Sequence, residues 1–439
     1  MDPVNLDPNP KRSLVFGIML TLVLVASVVA ILVMGGDDPD GDLVGSFVRA
    51  SENERASPSD RESSPSVTTN LGDTDSRNTS PFTSTGLQGD AGQREVIEEL
   101  MGSVEKIRGL PFLHAVELTL LTDAEFGQRL LDDLETEVDP DEILLAERAW
   151  KALGLIEPQV DLYEALLAAY GGSVLGFYDP ETGELVMRGV EMTPFVQGTL
   201  VHELTHALDD QHFNLDRPEL DEDQGDTEAS FGFTVLVEGS ASWVEARWQA
   251  GLSASERAEL AAEEAEFGAD IDIGALPMAL LIDLWLPYQF GPLLVAEIVA
   301  AGGLELLDAA FIKPPVSGEQ VLHPSAFLGG DVPILVPAPP VGGAEPGVQV
   351  LDSGVLGAST ILEMLYQRDP EYLAVGDDWG GDSYVLWADG DRSCLRADIV
   401  ADDSDGLDRL MASLSVWAEH HDNADIELLG DTMRLTACG

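Results

Sequence analysis

The sequence predicts an α+β, mostly helical domain carried behind a single N-terminal transmembrane helix and a disordered stalk. Three observations predict it. Residues 14–34 are an uncharged apolar run of 21 residues, long enough to cross a bilayer as a helix. Residues 35–92 are rich in Ser, Thr, Asp, Pro and Gly and poor in large apolar side chains. From residue 93 onward helical apolar periodicity dominates, interrupted by a few short alternating runs.

Lys11 and Arg12 precede the apolar run and Gly35-Gly36-Asp37-Asp38 follows it. The positive-inside rule therefore puts residues 1–13 in the cytoplasm and everything after residue 34 outside the cell membrane. The rival, a cleaved signal peptide, has a shorter apolar core and a small-x-small site, which this sequence lacks in clear form. Residues 35–92 cannot bury enough surface to offset chain entropy and read as a disordered linker. Against 22 basic residues stand 80 acidic ones, a formal net charge of −58. Such a surface repels phosphate backbones and excludes nucleic acid as a partner. The two cysteines, Cys394 and Cys438, are too far apart in sequence to form a close metal-binding pair. In an exported domain a disulfide tying the C-terminal segment down is the expected use.

Within residues 93–439 the elements follow in order. Helices are expected at Glu95–Ile107, from Thr122-Asp123 with Glu125 in the first turn, at Asp141–Leu153 and at Asp161–Tyr170, with a strand over His114–Leu121. Val174–Tyr178 and Glu184–Arg188 flank a Pro- and Gly-containing turn and read as a β-hairpin. Thr193-Pro194 then opens a helix, with Thr as cap and Pro in its first turn. A long helix over Thr227–Ala250 and an acidic one over Ser253–Phe267 follow. Ala275–Ala301 is strongly apolar but holds Pro277, Asp283, Pro287 and Gly291, so it reads as buried core helices and not as a second span. Residues 329–347 are Pro/Gly-rich loop. The chain closes with helices near Ser359–Gln367 and Ser404–Glu419 and strands near Ser383–Trp387, Leu395–Val400 and Met433–Ala437.

The Thr193-Pro194 helix carries His202-Glu203-Leu204-Thr205-His206. Residues four apart share a helix face, so both imidazoles can reach one metal ion. Glu203, one step round, can take a proton from a water activated at that metal as it attacks a carbonyl. Zn2+ suits two neutral imidazoles and a carboxylate with one position open. The third ligand has two readings. His212 stands at the spacing of a His-Glu-x-x-His-x-x-Gly-x-x-His site, but the turning glycine is replaced by Asp209. Glu238, in the apolar run Val235-Leu236-Val237-Glu238-Gly239-Ser240-Ala241, is the other; small neighbours permit close helix approach, and a charge there needs a partner. Glu245, two turns further along the same face, is a second carboxylate for ligation or for support. Asp209 and Asp210 either orient an imidazole or remain solvated charges at a helix end.

The run His202 to Phe213 followed by Leu236-Val237-Glu238-Gly239-Ser240-Ala241 resembles bacterial gluzincin-type, peptidase-MA-like metallopeptidases. Gly176-Phe177-Tyr178-Asp179-Pro180, Glu319-Gln320-Val321-Leu322-His323-Pro324 and Trp379-Gly380-Gly381-Asp382-Ser383-Tyr384 extend the likeness across residues 93–439. The resemblance implies a zincin-like fold, zinc on His202, His206 and Glu238, Glu203 as base, and a peptide or protein substrate. It departs from the thermolysin-like pattern in having Ser242, not Asp, four residues after Glu238. His323 and Tyr288 are the candidate donors to a developing oxyanion, and Glu184–Arg188 is the candidate edge strand for an extended peptide. The expectation is a single-pass, membrane-anchored extracytoplasmic zinc metallopeptidase. The rival is a catalytically inactive zinc-site surface protein that binds a partner.

Overall fold

A computed structural model describes residues 22–24, 91–189, 191–217, 220, 227–269, 273–341, 348–366 and 378–439. Most of the expected anchor and nearly all of the expected stalk lie outside these residues. Leu22–Leu24 (β1), within the expected anchor, is a three-residue strand and not the helix expected there.

The described chain is α+β and mostly helical. The N-terminal part holds helices α1 (Ala91–Arg108), α2 (Asp123–Glu137), α3 (Pro140–Ala152) and α4 (Leu162–Ser173) and strands β2 (Glu117–Leu121), β3 (Val174–Asp179) and β4 (Glu184–Arg188), with α2 packed on β2 and β4. The local signals act as the sequence implies: Thr122 and Glu125 form a reciprocal capping box on α2, and Asp139 and Asp161 cap α3 and α4. These strands form a small mixed sheet in the order β1-β3-β4-β2, with β2 parallel to β4 and the other pairs antiparallel. This overturns one expectation. Glu184–Arg188 is an interior strand, because Glu117–Leu121 pairs along its far side from Glu117↔Glu184 to Leu121↔Arg188. A short-range hairpin signal cannot reveal a partner that arrives from some 65 residues upstream.

Helices α5 (Pro194–Phe213), α6 (Thr227–Ala250) and α8 (Met278–Ile312) form the centre, with α7 (Ala254–Ala269) lying against α5. Residues 198–209 of α5 are buried without a break, and α6 is buried over most of Thr227–Val244. Neither helix has a polar face until its end, as befits helices enclosed by others. Among the described residues α8 is the one helix long and apolar enough to cross a membrane. Every residue from Ala279 to Pro287 is nevertheless buried against the rest of the protein, as a core element requires. Gly303, at φ 71, breaks its helical geometry, so α8 is two helical pieces joined at a kink just beyond the apolar run.

Two glycines set how closely α6 and α8 cross. A Cβ on Gly291 would lie 2.6 Å from Gly239 Cα and from Val235 O, and one on Gly239 would lie 2.4 Å from Gly291 O. Backbone meets backbone at this crossing, and the side chains beside it, Glu238 and Tyr288, are drawn to one place. Gly291→Ala is expected to lower stability by about 1–3 kcal/mol or more through overpacking. Gly102→Ala, in α1 with nothing within 4 Å of the new Cβ, is expected to raise it by about 0.5–1 kcal/mol. Denaturant melts of the two variants check the opposite signs.

The C-terminal half adds α9 (Gly318–Leu322), α10 (Pro324–Gly329), α11 (Gly357–Tyr366), α12 (Ser404–Glu419) and a five-stranded antiparallel sheet. Its strands are β5 (Val350–Gly354), β6 (Trp379–Asp389), β7 (Arg392–Ala401), β8 (Ala424–Leu429) and β9 (Thr432–Cys438), in the order β5-β6-β7-β9-β8. Cys394 and Cys438 face each other across β7 and β9 and form a disulfide. Buried Asp382 accepts hydrogen bonds from Leu356 N, Gly357 N and Trp379 Nε1 and so ties β6 to the start of α11. The Trp379–Tyr384 motif therefore serves the architecture of this sheet.

Candidate metal centre

Thr193 caps α5 by accepting from Val196 N, and Pro194 occupies its first turn. One turn of spacing then puts His202 and His206 side by side, ring centroids 4.8 Å apart. From α6, Glu238 reaches both: its Oε2 lies 3.0 Å from His202 Nε2 and 3.6 Å from His206 Nε2. The donor atoms of the three residues all fall within 4.8 Å of one another, and each residue is at least 98% buried. His206 Nε2 makes no hydrogen bond despite this burial. A buried nitrogen left unbonded is costly, and here it points where two other donors converge. Two imidazoles and a carboxylate in this arrangement can hold a metal ion. The donor set fits a borderline cation that takes nitrogen and oxygen together.

Glu203 is fully buried and neither carboxylate oxygen has a hydrogen-bond partner. Burial, only partly offset by the His202 charge, raises its carboxyl to about 8. The backbone of Tyr178, on β3, pulls the same way as His202. Burial alone would also raise Glu238, but the two histidines hold it down to about 2. Burial lowers His202, and the hydrogen bonds to Glu238 and Glu245 overcome that and raise it to about 10. The carboxylates around these imidazoles thus attract a cation, a proton or a metal.

The other expected residues separate cleanly. Tyr288 comes to the site on α8: its ring lies 6.2 Å from that of His202, and its hydroxyl is hydrogen-bonded to Glu238. As placed, that hydroxyl supports the carboxylate. His323 sits at the junction of α9 and α10 and is not in the metal-capable group. His212 points away and bonds Pro111 O at 2.8 Å.

Asp209 is no solvated helix end. It is buried, accepts from Ser240 Oγ at 2.6 Å and from Arg108 Nε at 2.8 Å, and its charge interacts with His206. Arg108 is itself fully buried, pairs also with Asp308 at 2.7 Å, and lies 5.5 Å from the ring centroids of Phe213 and Phe311. This cation joins α1 to α5 and α8, and Asp209 carries the link on to Ser240 of α6. Sequence reasoning missed it because Arg108 reads as an ordinary basic residue in a last helical turn. Asp210 accepts from Tyr178 Oη at 2.8 Å and from Leu215 N at 2.7 Å, locking β3 to the end of α5.

A second trio, Glu319, Asp331 and Asp402, also brings carboxylate oxygens within 4.8 Å, with two of the three residues exposed. Exposed acidic groups gather in this way without an ion. Comparison with models of protein families, with curated proteins and with solved structures found nothing that matches this chain.

Proposed function

We propose that the protein is a zinc-dependent metallopeptidase of gluzincin type, with zinc held by His202, His206 and Glu238 and Glu203 as general base. The observation that carries this reading is the pairing of the buried donor trio with an adjacent, fully buried carboxylate that no other side chain pairs. A buried, unpartnered acid destabilises the fold, and such groups are retained where chemistry uses them. Zinc bound there would acidify an attacking water and polarise the scissile carbonyl.

The chain's own residues supply the rest. Glu203 accepts the proton of the attacking water on its carboxylate and returns it to the leaving amine. Its dry setting raises its proton affinity above that of an ordinary carboxyl, which favours both halves of that transfer. Tyr288 holds the Glu238 carboxylate from the side of α8. The disulfide supports an oxidising compartment. With the apolar run at 14–34, it favours a membrane-anchored domain outside the cytoplasm.

Metal removal tests the reading. The full chain, purified in detergent, is expected to hold one zinc and to hydrolyse an unfolded protein substrate. A chelator should abolish that hydrolysis and added zinc restore it. Hydrolysis that survives complete zinc removal, or none with zinc bound, overturns the proposal.

A further inference from the structure

We infer that Glu245 is the positioning residue for His202, filling from seven residues beyond Glu238 the role that Ser242 cannot. The inference rests on the zinc reading above and names the support that its ligand set requires.

On α6, residues 238 and 245 are two turns apart and face the same side. Both carboxylates therefore meet one imidazole from opposite edges. Glu238 Oε2 lies 3.0 Å from His202 Nε2, and Glu245 Oε2 lies 3.2 Å from His202 Nδ1. A histidine that ligates through Nε2 must carry its proton on Nδ1, and a carboxylate at Nδ1 fixes that tautomer and the ring's orientation. It also makes the ligating nitrogen more basic.

Glu245 is itself held in place. Its other oxygen, Oε1, accepts from Gln249 Nε2 at 2.9 Å, one helical turn on. On the facing helix, one turn before His202, stands Gly198. A Cβ there would lie 3.3 Å from Glu245 Oε1 and 3.7 Å from Gln249 Nε2. Bare backbone at residue 198 leaves the pair the space it occupies. Glu245 remains 24% exposed on its side chain, against 2% for Glu238. A carboxylate at the rim costs less to keep charged than one at the centre, which suits support better than ligation. His202 is thus clamped at both nitrogens by one helix.

The test is zinc affinity of the full chain, measured by competition with a chromophoric chelator. Glu245→Ala is expected to weaken zinc about 10–100-fold. Glu245→Gln should weaken it less, because its amide oxygen still accepts from Nδ1–H, and Gln249→Ala less again. In the zinc-loaded protein the His202 Nδ1 proton should give a slowly exchanging imidazole resonance in wild type and Glu245→Gln. The same resonance should be lost in Glu245→Ala. A role confined to packing predicts no such graded series and no change in that proton. Equal zinc affinity in wild type, Glu245→Ala and Glu245→Gln overturns the inference while leaving the ligand trio intact. If Glu245→Ala fails to fold, Glu245→Gln alone must still show the loss. A wild type that takes up no zinc overturns the ligand reading and this inference with it.

Discussion

Glu203→Gln is expected to leave zinc content unchanged and to cut peptide hydrolysis by about 10²–10⁴-fold, the usual worth of a positioned general base. The substitution keeps shape and volume and removes only the charge. No side chain pairs with either oxygen of Glu203, and the amide keeps an oxygen that can accept from the Tyr178 backbone. Burial raises the carboxyl to about 8, which means that ionising it opposes folding. The penalty grows from the ordinary carboxylate value of 4.5 up to about 8 and is complete there, so above about pH 4.5 the amide should leave the melting temperature equal or higher. Activity and stability would move in opposite directions, the mark of a residue kept for chemistry. Asp209→Asn supplies the contrast: it uncouples a buried acid from Arg108 and Ser240 and should lower the melting temperature, since breaking a buried pair costs about 3–5 kcal/mol. A partner-binding surface protein without catalysis predicts no hydrolysis in the wild type for Glu203→Gln to remove.

What could be read from the sequence divides along physical lines. Helices announced by caps and period, such as α5 with Thr193-Pro194, α6 and α12, coincide closely with their expected spans, because their signals are local. The donor trio was legible for a related reason. His202 and His206 share a face by helix geometry alone, and Glu238 stood out as a charge in an apolar run beside Gly239. Its small neighbour does permit the approach of α8. Contacts made across long sequence separations were not legible. Neither the Arg108–Asp209 pair nor the placement of β2 against β4 has a local signature. Strands β5 and β8 were missed because the first borders a Pro/Gly-rich loop and the second is the exposed edge of its sheet. An edge strand is held by one neighbour and needs little apolar patterning.

Glu238→Ala is expected to release zinc, and His212→Ala to retain it in full. The two variants separate the two third-ligand readings, and α5 itself argues for the outcome. A third histidine ten residues on can return to the metal only if the chain leaves the helix between them. Here α5 runs unbroken from Pro194 to Phe213. Ten residues of helix carry His212 about 15 Å along the axis from His202, far beyond the reach of a common ligand sphere. The chain turns only at Asn214, at φ 59, after His212 has passed. Asp209, at the position where a glycine would break the helix, is instead fixed by Arg108 and Ser240. His212 is spent on Pro111 O at the surface, so its loss should cost at most a local contact. Glu238 is the opposite case: 2% exposed and bonded to His202, it brings the only carboxylate oxygen in the donor trio. Its removal also leaves a buried imidazole without its counter-charge, so Glu238→Gln serves as the gentler variant should alanine unfold the protein. Zinc analysis after dialysis reads the result. Zinc kept in Glu238→Gln and lost in His212→Ala would require α5 to break at Asp209, and the gluzincin assignment would not survive it.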